Sequence, residues 1–173
     1  MASLGHIAVG MAAARLYVRG IPEDRRPPLA WTMVALSALS LSPDLDAIGM
    51  AMGVPYGAPW GHRGATHALA MAAALGVVAA LFARLTRLPV WRTGLAVGLV
   101  VASHGLLDSL TDGGRGVALL WPWSDDRFFA PWRPIPVAPI GLGLLTPRGM
   151  QVMASEVLCF APLWVWALWR RGR

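Results

Sequence analysis

Five apolar stretches, Leu4–Val18, Leu29–Leu41, Ala68–Leu85, Val90–Leu107 and Val152–Trp169, set the limits on what this chain can fold into. A helix that crosses a bilayer needs about 20 mainly apolar residues, with a lower limit near 17. The third, fourth and fifth stretches reach that length, and the first two count only with their flanks. Backbone polar groups in lipid have no water to turn to, so segments of this kind form helices. The expected fold is all-α, a polytopic membrane bundle of about five helices, with residues 1–173 forming a single membrane-embedded domain. Composition agrees. Only 14% of residues are charged and the mean hydropathy is +0.54, whereas an ordinary soluble domain carries about 25% charged residues.

The net charge of +6 comes from arginine alone, since the chain has no lysine. A sequence pI near 11.2 would suggest nucleic acid in a soluble protein, but the arginines are placed topologically. Arg15, Arg19, Arg25 and Arg26 lie at or beyond the end of the first stretch, Arg84, Arg87 and Arg92 around the junction of the third and fourth, and Arg170, Arg171 and Arg173 after the fifth. If all five stretches cross, these ten share one side, which the positive-inside rule makes cytoplasmic, with the N-terminus outside and the C-terminus inside. No basic patch is then left for nucleic acid. Trp31, Trp91, Trp166 and Trp169 fall at the same inner interface, where indole rings tend to reside. Arginines follow the first stretch and none precedes it, so it reads as a retained helix and not as a cleaved signal peptide. The single cysteine, Cys159, excludes an intrachain disulfide and a thiolate cluster.

That topology carries the scarce histidines and several of the aspartates to one face. His6 is near the outer end of the first stretch, and Asp44 and Asp46 follow the second. His62 and His67 precede or open the third, and His104 and Asp108 close the fourth. Polar residues at such positions in a membrane protein mark functional sites. His104 and Asp108 are four apart, so both lie on one helix face and can share a metal. Asp44-Leu45-Asp46 follows Pro43, and such a pair on an irregular turn either points two carboxylates inward or serves as a cap or solvated turn. His62 and His67 do not align on one helix face. His62 is expected on the turn Gly61-His62-Arg63-Gly64, with Ala65 or Thr66 opening the helix that bears His67. Thr66 is then either a helix cap or a catalytic hydroxyl. His6 is either a ligand or an interfacial residue.

The motifs His6-Ile-Ala-Val-Gly10, Ser42-Pro-Asp-Leu-Asp46, His62-Arg-Gly-Ala-Thr-His67 and His104-Gly-Leu-Leu-Asp108-Ser-Leu-Thr-Asp-Gly113 together resemble the YdjM-like family of inner-membrane proteins described as metal-dependent hydrolases. The resemblance covers residues 3–123, ending at Trp121-Pro122-Trp123. It implies a bacterial-type inner-membrane protein with a metal-hydrolase site, and carries no substrate. Asp112 departs from the pattern, standing where a small polar residue is expected.

Seven candidate ligands, His6, Asp44, Asp46, His62, His67, His104 and Asp108, exceed the needs of one catalytic zinc and suit two metals about 3.5–4 Å apart. Nitrogen and oxygen donors without thiolate fit zinc, manganese or iron. One or two divalent transition-metal ions are therefore expected, zinc or manganese first. Metal-activated water would attack a phosphoester or ester, with Arg63 or Arg115 pairing a phosphate. Arg63 and Glu156 are the candidate catalytic residues. Glu156, an acid inside the fifth stretch, is a ligand, a general base or an orienting partner of a histidine, or else an interfacial residue.

Residues 109–150 carry six prolines among glycines and aromatics, which excludes a long helix there. Their apolar pieces suit an outer interfacial loop or lid and an amphiphilic or lipid-linked substrate. Two classes stand side by side: a membrane-bound metal-dependent hydrolase with its site on the outer face of the inner membrane, and a non-catalytic metal-binding membrane protein, either a regulatory scaffold or a transporter. A transporter's ligands belong near the bilayer midplane, whereas these gather at one end.

Overall fold

A computed structural model of the protein describes residues 3–169, which are helical except for turns and one long connection. The helices are α1 (Ser3–Arg19), α2 (Leu29–Leu41), α3 (Asp46–Ala51), α4 (Leu69–Leu85), α5 (Val90–Ser109), α6 (Pro147–Cys159) and α7 (Ala161–Leu168). The expected all-α bundle is therefore what forms. The arginines Arg170, Arg171 and Arg173 lie outside the described residues.

Small residues set the packing. Gly10 of α1 lies so close to α2 that a Cβ there would fall 2.5 Å from the Cα of Ser37. Ala8, Ala12 and Ala14 bury the same helix. The apolar core joins Tyr17, Val18 and Ile21 to Leu36, Ala72, Val97 and Val101. The rest of the apolar surface faces outward, as at Trp91 (81% exposed), Leu85 (83%) and Leu99 (68%). Patches of this kind on several helices require an apolar surround.

Length and apolarity qualify two helical segments as membrane spans by themselves, Leu29–Ala51 and Val90–Ser109. The first is longer than the sequence suggests because Pro43 does not end it. Ser42–Leu45 tightens into a 3-10 turn and runs directly into α3, since proline in a first turn needs no N–H. The expected fifth crossing is a bent pair, α6 and α7, meeting at 63°. Phe160 breaks the pair one residue before Ala161-Pro162. Its start is also earlier than Val152: Pro147 opens α6, and the Thr146 hydroxyl accepts from Gly149 N. α4 is apolar with 17 residues, and α1, also 17 residues, ends on Arg19.

The long connection between α5 and α6 is irregular, as its prolines require. It is tied by bridges between Thr111 and Ile135 and between Val117 and Phe128, and by a 3-10 turn at Gly141–Leu145.

Candidate metal centre

Ends of separate elements deliver every member of the cluster. His6 sits in the first turn of α1, Asp44 in the 3-10 turn after α2, and Asp46 at the head of α3. His67 closes the 3-10 turn Ala65–His67, and His104 and Asp108 occupy the last turns of α5. α5 reaches the turn because residue 105 is glycine: a Cβ there would lie 2.3 Å from the carbonyl oxygen of His67. His67 is carried by this short 3-10 helix and not by the long apolar helix that the sequence suggests. Ala68 takes an extended conformation and α4 begins only at Leu69. Thr66 does not cap that helix either; its hydroxyl donates to Asp46 Oδ2 at 2.8 Å.

Four electron-pair donors face one another. His104 Nε2 lies 3.3 Å from Asp44 Oδ1 and 3.9 Å from Asp108 Oδ2. His67 Nε2 lies 3.5 Å from Asp44 Oδ1 and 3.6 Å from Asp108 Oδ2. Both imidazoles are buried, and neither Nε2 has a hydrogen-bond partner. Their other nitrogens explain why. His104 Nδ1 donates to the Ser40 carbonyl at 2.7 Å. His67 Nδ1 is 3.2 Å from Asp46 Oδ2 and 3.0 Å from the Thr66 hydroxyl. A neutral imidazole whose Nδ1 carries the proton presents a lone pair at Nε2. With both rings neutral, two such lone pairs meet two carboxylate oxygens.

The four measured histidine–carboxylate distances suit a cation. Zinc bonds to nitrogen and oxygen of about 2.0–2.2 Å give a tetrahedron with edges of about 3.3–3.6 Å, close to the observed 3.3–3.9 Å. Charge agrees as well. The buried carboxylates of Asp46 and Asp108 and the half-buried Asp44 lie close together, with Arg63 Nε 3.1 Å from Asp108 Oδ2, and buried charge is costly unless paired. At His67 burial alone disfavours the imidazolium, but the carboxylates of Asp44 and Asp46 outweigh it and hold its pKa above the ordinary value. The cluster thus attracts positive charge.

The remaining predicted residues divide. Asp46 and His62 form a second group around His67: His62 Nδ1 lies 2.8 Å from Asp46 Oδ1. His6 stacks on His104 with ring centroids 3.7 Å apart, and its Nε2 is 3.6 Å from Asp108 Oδ1. Glu156 is fully buried in α6 and accepts from the backbone N of Gly5 at 3.0 Å, beside His6. It is in neither ligand group. Arg63 is a buried partner of Asp108 rather than a surface cation. It is 2% exposed, its Nε lies 3.1 Å from Asp108 Oδ2, and its Nη1 donates to Thr111 Oγ1 and the Gly113 carbonyl, both at 3.0 Å. A left-handed φ of 62° at Arg63 turns the side chain inward. Arg115 lies over the Tyr56 ring at 5.8 Å. Asp112 holds the loop: its Oδ1 accepts from Val137 N at 2.7 Å.

Several participants had no clear signal in the sequence. The Ser40 carbonyl is backbone. Arg127 follows two aspartates and reads as a solvated charge run, yet it donates to the carbonyl oxygens of His62 at 2.9 Å and Ala58 at 3.2 Å, pinning the His62 loop. Tyr56 packs edge-on against His62 at 5.2 Å. A cavity of about 240 Å³ opens on the cluster; Asp44, Tyr56, His62 and Arg63 line one part, and Val137 to Gly141 and Leu144 of the long connection line another.

Fold and cluster together define a membrane helix bundle with a buried histidine–aspartate centre at one end. The chain belongs to the YdjM inner membrane protein family, which it matches over residues 1–172. It is similar to the inner membrane protein YbcI of Escherichia coli (strain K12), 45% identical over 130 residues that cover 74% of this chain and 72% of that protein. No solved structure matches it. The family match extends past the motif-bearing region to α6 and α7, and makes this an inner-membrane protein.

Proposed function

We propose that the protein is a membrane-bound metal-dependent hydrolase whose Asp44, His67, His104 and Asp108 hold one divalent transition ion, zinc or manganese. The observation that carries this reading is the gathering of two imidazole Nε2 atoms and two carboxylate oxygens, 3.3–3.9 Å across each measured histidine–carboxylate pair. One ion is favoured over the two that seven ligands suggest. His67 Nδ1 is engaged by Asp46 and Thr66, the kind of outer partner that orients a ligating histidine. An ion in such a site activates water as a nucleophile at neutral pH.

The chain's own residues have distinct parts. Asp46 and the Ser40 carbonyl fix the orientation of His67 and His104. Arg63 offsets the charge of Asp108. Glu156 anchors the start of α1 and so the position of His6. His62 lines the cavity beside Asp44, with Nδ1 held by Asp46, and takes or returns a proton at its other nitrogen. The cavity's polar part beside an apolar wall of Val137, Pro139, Ile140 and Leu144 suits an amphiphilic or lipid-linked phosphoester or ester. The arginine distribution supports a reading in which this face lies outside the inner membrane.

Turnover tests the reading. Metal-loaded protein in detergent is offered a panel of lipid phosphoesters and carboxylic esters, with the His104→Ala variant as control. Hydrolysis of one class that the variant loses supports a hydrolase. Metal binding without turnover of any member assigns the protein to the scaffold class instead.

A further inference from the structure

The opposite end of the α4/α5 hairpin carries a second set of features that the metal centre does not use. A cavity of about 680 Å³ there is lined by Arg25, Arg84 and Arg87 together with Thr86, Leu88 and Val90, and by no carboxylate. Arg25 has a neighbour, Asp24, at 3.6 Å. Among the described residues the Arg84 and Arg87 side chains form no hydrogen bond or ion pair. Guanidinium groups gathered without counter-charge favour an anion, and match phosphate oxygens bidentately.

An apolar groove of about 350 Å³ runs between the same two helices, edged by Ala73, Val77 and Ala80 on α4 and Trp91, Leu95 and Leu99 on α5. Ala73, Val77, Ala80 and Arg84 recur at three- and four-residue spacing, so Arg84 stands on the groove's face of α4, one turn past its end. From Leu69 to Arg84 the helix rises about 22 Å, more than the half-thickness of about 15 Å of a bilayer's hydrocarbon core. The groove edges are open: Val77 is 60% exposed, Leu95 63% and Leu99 68%. An anionic head next to an apolar channel of this length is the complement of a phospholipid.

We infer that α4 and α5 form a binding site for an anionic phospholipid, its phosphate on Arg84 and Arg87 and an acyl chain along the groove. Basic pockets at the ends of membrane helices recognise such headgroups. Phosphatidylcholine presents the phosphate with a compensating cation, and inorganic phosphate lacks the chain.

Native mass spectrometry of the detergent-purified protein tests this, after incubation with phosphatidylglycerol, phosphatidylcholine or inorganic phosphate. Phosphatidylglycerol is expected to be retained preferentially. Replacing both guanidiniums, as Arg84→Gln with Arg87→Gln, is expected to weaken retention about thirtyfold. Ala73→Trp, which fills the groove from an exposed position and leaves the charge unchanged, is expected to weaken it as well. Both variants are compared at equal helical content by circular dichroism. Equal retention of the two lipids, displacement by inorganic phosphate, or wild-type retention by either variant overturns the proposal.

Discussion

Asp46 touches both His62 and His67, so its removal separates orientation from ligation. Outer partners of ligating histidines contribute about 10–100-fold to metal affinity. Asp46→Asn is expected to lose affinity on that scale, read by competition with a chelator, while still filling at saturating metal. Protons compete for the same site. The metal needs His67 neutral, and neighbouring carboxylates raise its pKa, so apparent affinity should fall as pH drops through that raised value. The expected loss is about tenfold per pH unit for each proton displaced, measured in a zinc titration between neutral and mildly acidic pH. A flat profile would exclude His67 as a ligand. The candidate ligands are legible in the sequence because ionisable side chains are scarce in this chain and costly in its setting. Their division of labour is not legible. It depends on which imidazole nitrogen faces which oxygen, and on Arg63 meeting Asp108 across 45 positions of sequence.

The elements show a similar split. Apolar runs announce α1, α2, α4 and α5 within a few residues, since their surfaces meet lipid or core. The sequence could not place the break at Phe160 or the continuation through Pro43, because both rest on what the neighbouring helices allow. Contact between α5 and the His67 turn is another tertiary fact, and Gly105 makes it possible. Gly105→Ala is expected to push His67 outward, costing about 1–3 kcal/mol of stability and lowering metal affinity at the same time. Thermal unfolding and metal titration of one preparation check both. Unchanged values in both would mean that α5 does not constrain the turn.

At the scale of the molecule the chain has two dissimilar ends. One gathers histidines and aspartates, the other arginines of the α1–α2 and α4–α5 connections, and their separation follows from the long helices α1, α2, α4 and α5 running between them. That alternation is why the convergence of the four motifs can be read from arginine placement before any coordinate is known. Orientation is testable by labelling. Cys159 is exposed, so a Cys159→Ser background is required. In it Arg87→Cys is expected to react with a membrane-impermeant maleimide only from the cytoplasmic side, and Leu142→Cys, 85% exposed, only from outside. Reversed labelling would put the cluster on the cytoplasmic face.

The proposed cation site is built from four donor atoms of α5 and two 3-10 turns, and elemental analysis of the detergent-purified protein tests it most directly. About one zinc or manganese ion per chain is expected, with His67→Ala and Asp108→Ala each losing most of it. A wild-type protein that takes up no transition metal, or variants that hold as much as the wild type, would rule out a metal at these residues.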